Sequence, residues 1–116
     1  MLSTKVQWFL ILLAVVAVNG LGSRITAAAA HPKPTTHTVV IEAVRFDPPE
    51  LTVNVGDTIV WINHDPFPHT ATAVGKNFDS HEIAMGRSWK YTAAQAGVFA
   101  YACSLHPTML GTLRVE

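Results

Sequence analysis

The chain has 116 residues, eight Lys/Arg against eight Asp/Glu, six histidines and a single cysteine. Neutral charge without a basic run gives no electrostatic footprint for nucleic acid, and one cysteine excludes an internal disulfide. A chain this short has room for one small core, and with disulfides excluded a metal is the remaining cross-link.

In chain order, Lys5 and the apolar run Trp8 to Val18 come first, followed by small residues ending in Ala27 to Ala30. This is the layout of a secretory signal with an A-x-A-type cleavage site. The apolar run is shorter than the ~20 residues that span a bilayer. Residues 1–30 are therefore expected to be removed, leaving a periplasmic or secreted protein without a transmembrane segment. Retention as an N-terminal anchor is the alternative. Residues 31–116 keep six Lys/Arg against eight Asp/Glu, a net −2.

Residues 31–36 (HPKPTT) read as a flexible or extended lead-in, and the folded domain is expected over 37–116. From His37 onward, apolar residues alternate or form short runs between turn residues, as strands do. Val39 to Ile41 with Phe46 opens the series, and DPPE (47–50) interrupts it. LTVNV (51–55), a Gly56-Asp57 turn and TIVWIN (58–63) follow. HTATAV (69–74), RSWKYT (87–92), GVFAYAC (97–103) and LGTLRVE (110–116) complete it. No stretch keeps a helical period, and the piece from Tyr91 to Ala96 allows one turn at most. Seven to eight short strands predict an all-β, single-domain antiparallel sandwich or barrel. Trp61, Trp89, Phe46 and Phe99 are expected to fill it.

The chemistry concentrates in YACSLHPTML, residues 101–110. A free thiol in an oxidising compartment invites oxidation and intermolecular pairing, whereas a coordinated thiolate is protected. Cys103 ends a predicted strand, and His106 and Met109 are expected on the loop beyond it. Pro107 restricts the path between them. His69, in DPFPHTATA, is the best fourth donor because Pro66 and Pro68 stiffen its approach. Two imidazoles, one thiolate and one thioether form the donor set that selects copper. Zinc favours a second thiolate or a carboxylate. Taken singly, Cys103 and Met109 would be ordinary core residues, and the joint spacing makes them a site. His37, His64 and His81 sit in polar or turn-like contexts and read as solvated surface residues; Met85 reads as a loop or packing residue.

With these motifs in view, the chain resembles the cupredoxins, or blue copper proteins, of the amicyanin and plastocyanin type. The short C-x2-H-x2-M loop, the FDPPELTVNVGDTIVWIN and NHDPFPH segments and the final GVFAYACSLHPTMLGTLRVE carry the resemblance. It implies a Greek-key sandwich holding one type 1 copper ion. His69, Cys103 and His106 would be equatorial ligands and Met109 the long axial one. Asn63 would tie the two ligand loops together through Ser104, with Pro68 beside the first histidine. His106 would be the electron port, ringed by Leu105, Pro107, Phe67 and Pro66. Leu105, Thr108 and Thr70 depart from the amicyanin pattern.

The function expected is a monomeric carrier of single electrons between redox partner proteins. Four protein donors leave no open position for substrate, so the chain is not expected to be an enzyme. An extracytoplasmic copper-delivery module, or a sandwich merely stabilised by metal, is the alternative.

Overall fold

The computed structural model describes Gly22 and residues 32–116. The chain divides into two units, Met1–Ala30 and His31–Glu116, and the architecture described belongs to the second. The predicted signal, Gly22 apart, lies outside the described residues. No helix among them is long and apolar enough to cross a membrane.

Eight strands form two four-stranded sheets. The first has the order β2-β1-β4-β6, built from β1 (Thr36–Glu42), β2 (Arg45–Asp47), β4 (Thr58–Asn63) and β6 (Ser88–Thr92). The second has the order β3-β8-β7-β5, built from β3 (Glu50–Val53), β5 (Thr72–Ala73), β7 (Gly97–Cys103) and β8 (His106–Val115). The all-β sandwich expected from the strand pattern is borne out. Within it, β1 with β4 and β3 with β8 are parallel, and the other pairings are antiparallel. Alternation along a strand reports which face is buried, not the direction of its neighbour, so these two pairings were invisible in the pattern.

The alternation itself is well realised. In β4, Ile59, Trp61 and Asn63 point inward, and the register sets Val39 beside Trp61 and Trp61 beside Trp89. Across the sandwich, β7 and β8 contribute Tyr101, Cys103, Met109, Leu113 and Val115 to the same core. Trp61 and Phe46 lie inside as expected. Trp89 and Phe99 are only half-buried and pack against the core from its margin; Trp89 is on β6, at the edge of its sheet. Tyr101 takes the central place, edge-on to both Trp61 and Phe46 with ring centroids 5.6 and 4.7 Å away.

Three boundaries differ from expectation, each for a visible reason. Residue Thr36 already belongs to β1, and Thr35 before it is pinned: its amide donates to Asp57 and its carbonyl accepts the Thr58 amide. The strand expected over 69–74 shrinks to Thr72–Ala73, because the two amides just before it go to side chains. Thr70 donates to the Cys103 sulfur and Ala71 to the Ser80 hydroxyl. Finally, β8 starts at His106, four residues before the predicted Leu110, so His106 and Met109 belong to the strand rather than to a free loop. Cys103 pairs with His106 across a two-residue turn, and the register then jumps, so that Ala102 pairs with Leu110. The intervening residues 107–109 bulge, and Met109 is buried within that bulge.

Candidate metal centre

The bulged β7–β8 hairpin and the loop after β4 together create the site. Cys103 Sγ lies 3.7 Å from His69 Nδ1 and 3.6 Å from His106 Nδ1. The three donor atoms all fall within 4.8 Å of one another. Metal–nitrogen and metal–sulfur bonds of ~2.0 and ~2.3 Å at trigonal angles would set N and S about 3.7 Å apart. The two sulfur–nitrogen distances therefore fit one ion shared by the three. His69 and Cys103 are fully buried and His106 is half-buried. Met109, three residues beyond His106, is buried in the core cluster that also holds Cys103. A soft thiolate, two borderline imidazoles and a nearby thioether fit copper by donor chemistry.

Cys103 and His69 are held from behind. The Thr70 amide donates to Cys103 Sγ at 3.3 Å. The Thr70 hydroxyl accepts the Ser104 amide at 2.8 Å and lies 3.1 Å from the Ser104 hydroxyl. Thr70 therefore joins the two ligand segments. The expected tie from Asn63 to Ser104 is not what the structure shows. Asn63 Nδ2 donates to the carbonyls of Phe67 and Ile83, both at 2.8 Å, and its Oδ1 accepts the Asp65 amide. Asn63, fully buried at the end of β4, closes the 63–69 loop on itself and onto Ile83. Thr70, adjacent to His69, was singled out in the sequence only as a departure from the amicyanin pattern.

Asp65 was missed. Its Oδ2 lies 2.7 Å from His69 Nε2, and both groups are buried. Burial pushes the Asp65 carboxyl up, but the Val44 amide, the His69 imidazole and the Ala43 amide together outweigh it and hold the group below the usual carboxylate range. The signal was present as an acid four residues before a ligand histidine. Metal-bound histidines commonly donate their outer N–H to a carboxylate.

Of the residues expected around half-buried His106, Phe67 lies against its ring. The Phe67 ring centroid is 5.6 Å from that of His106 and 5.1 Å from that of His69. Phe67 and Leu105 are exposed apolar residues at 39% and 45%. Pro66, Pro68 and Pro107 are exposed in the same two segments. His37, His64 and His81 stay outside the cluster: His37 bonds Asp57, and His64 and His81 are exposed.

A two-sheet sandwich with a His-Cys-His cluster at one end defines a copper protein of cupredoxin type. The sequence pattern of the plastocyanin/azurin family of copper binding proteins matches residues 34–116, and the chain belongs to that family. Amicyanin from Paracoccus denitrificans is 32% identical over 83 residues, covering 67% of this chain. The chain spans 63% of that amicyanin's length. Plastocyanin from Scenedesmus fuscus is 29% identical over 87 residues, covering 64% of this chain and 89% of the plastocyanin. Among solved structures, the Cu(I) form of an amicyanin variant superposes with a TM-score of 0.66 at 32% identity, over 70% of this chain and 82% of that one.

Proposed function

We propose that the protein is an exported carrier of single electrons, with one copper ion held by His69, Cys103 and His106 and, more distantly, by Met109. The convergence of one thiolate and two imidazole nitrogens at metal-sharing distances carries this reading. Copper bound there supplies a one-electron Cu(I)/Cu(II) couple. The relatives named amicyanin and plastocyanin support the reading.

The chain's own contribution is rigidity, dryness and a single way in. His69 and Cys103 are shielded from water, and their backbones are pinned to each other through Thr70. Holding these two donors in place keeps the reorganisation small when the charge at the centre changes. Four protein donors leave no position for a substrate, which favours a carrier over an enzyme. His106 is the half-buried ligand, and Phe67 and Leu105 beside it give an apolar rim with few charges. Such a surface suits brief contact with a redox partner protein through a small interface. The signal-like residues 1–30 support function outside the cytoplasm.

Copper titration of the metal-free protein tests the reading. One equivalent of Cu(II) should produce an intense visible thiolate-to-copper band and a reversible one-electron couple. Cys103→Ser should lose the band and the couple together. Tight zinc binding with no redox couple would favour a metal that only stabilises the fold, and rapid copper release to a chelator would favour delivery.

A further inference from the structure

The Asp65 carboxylate reaches beyond the histidine it touches. Its Oδ1 accepts the Ala43 amide at 2.8 Å and its Oδ2 the Val44 amide at 2.9 Å. These two residues form the β1–β2 turn, and both hold positive φ angles of 52° and 57°. The Asp65 amide in turn donates to the buried Asn63 Oδ1 at 2.9 Å. The side chain is thus clamped on the first sheet before it meets His69. A carboxylate already taking two amide protons is an acceptor only, so the His69 ring must supply the proton from Nε2. The lone pair is then left on Nδ1, the atom that faces the Cys103 sulfur. No such clamp holds His106, whose ring makes its only hydrogen-bonding contact among the described residues between Nδ1 and that sulfur.

We propose that Asp65 is the positioning residue of the centre, fixing the tautomer and orientation of His69 and biasing the bound metal toward Cu(II). The second part rests on the copper reading above. A carboxylate behind an imidazole makes it a more basic ligand, and a buried negative charge favours the more positive oxidation state. The two imidazoles are therefore unequal, although the ligand motif presents them as a pair.

Asp65→Asn preserves the shape and removes the charge. Its Cu(II) affinity should fall by about 10- to 100-fold, with a smaller loss for Cu(I). The reduction potential, read by voltammetry, should rise by about 59 mV for each tenfold of that difference. Asp65→Glu, which retains the charge, should return the potential part of the way. A purely structural role would weaken both oxidation states alike and leave the potential where it was.

A second measurement needs no variant. Nitrogen-15 NMR of the metal-free protein should show His69 as the Nε2–H tautomer, with a slowly exchanging proton shifted far downfield. An Nδ1–H tautomer, or an unchanged potential in Asp65→Asn, would overturn the proposal while leaving the electron-carrier reading intact. Absence of any copper couple in the unaltered protein would instead remove the carrier reading, and the Cu(II) bias with it.

Discussion

Thr70 shows how much one side chain can organise. Its amide reaches the Cys103 sulfur and its hydroxyl reaches both the backbone and side chain of Ser104. Thr70→Val keeps the volume and the amide but removes the hydroxyl. A neutral hydrogen bond of this kind contributes about 1 kcal/mol, so the metal-free protein should lose roughly that much in urea denaturation. The larger effect should be on the site. With Ser104 released, the turn carrying Cys103 and His106 loosens, and the visible band of the copper-loaded protein should broaden or shift. A variant spectrum identical to that of the unaltered protein would show that the hydroxyl stabilises only the fold. The ligand residues were legible in the sequence because their types and spacing are chemically restrictive. Thr70 and Asp65 were not, because hydroxyls and carboxylates occur everywhere and only packing reveals which of them face a donor.

At the level of elements, the β7–β8 hairpin is the decisive unit. Its short turn delivers Cys103 and His106 together, and its bulge buries Met109. The bulge leads directly into Gly111, which pairs with Tyr101. A Cβ at Gly111 would run into the Tyr101 ring, well inside contact distance. The ring cannot yield easily, since it is wedged against Trp61 and Phe46. Gly111→Ala should therefore destabilise the domain by about 1–3 kcal/mol and disturb the seating of Met109, read as a lower melting temperature and an altered reduction potential. A melting temperature within error of the unaltered protein would show that the sandwich has slack there. The strand pattern disclosed the hairpin but not the bulge, because a bulge depends on how a strand meets its neighbour. Of the four edge strands, β2 and β5 are the shortest, which limits pairing with other chains there.

For the whole molecule, acid and metal are the two levers on stability. The Asp57 carboxyl is held well below the usual range by the Thr35 and Asn54 amides and then by His37. Asp65 and Asp79 are lowered as well. A carboxyl with a lowered folded pKa stabilises the fold above its unfolded value of about 3.9, and that contribution fades as pH falls below it. Denaturation midpoints should accordingly be level near neutrality and decline below about pH 4. The gap between Asp57→Asn and the unaltered protein should narrow over the same range, and a constant gap down to pH 2 would contradict this account. Metal acts in the other direction. A ligand at 1,000 times its dissociation constant stabilises by about 4 kcal/mol, and each kcal/mol raises the melting temperature of a domain this size by about 4–8 °C. Copper should therefore raise the melting temperature markedly in the unaltered protein and far less in Cys103→Ser.

What the residues decided alone was the class of fold and the nature of the donors. Side-chain alternation is a local property that survives in one dimension, and a thiolate with two imidazoles and a thioether has a metal preference wherever it is assembled. Folding decided the rest. The parallel pairings, the exchange of Phe99 for Tyr101 at the centre of the core, and the ties from Thr70 to Cys103 and Ser104 join residues distant in sequence, and Asp65 is held against its near neighbour His69 by amides of the distant β1–β2 turn. Their hydrogen bonds and contacts exist only once two sheets and a bulged hairpin have closed on one another.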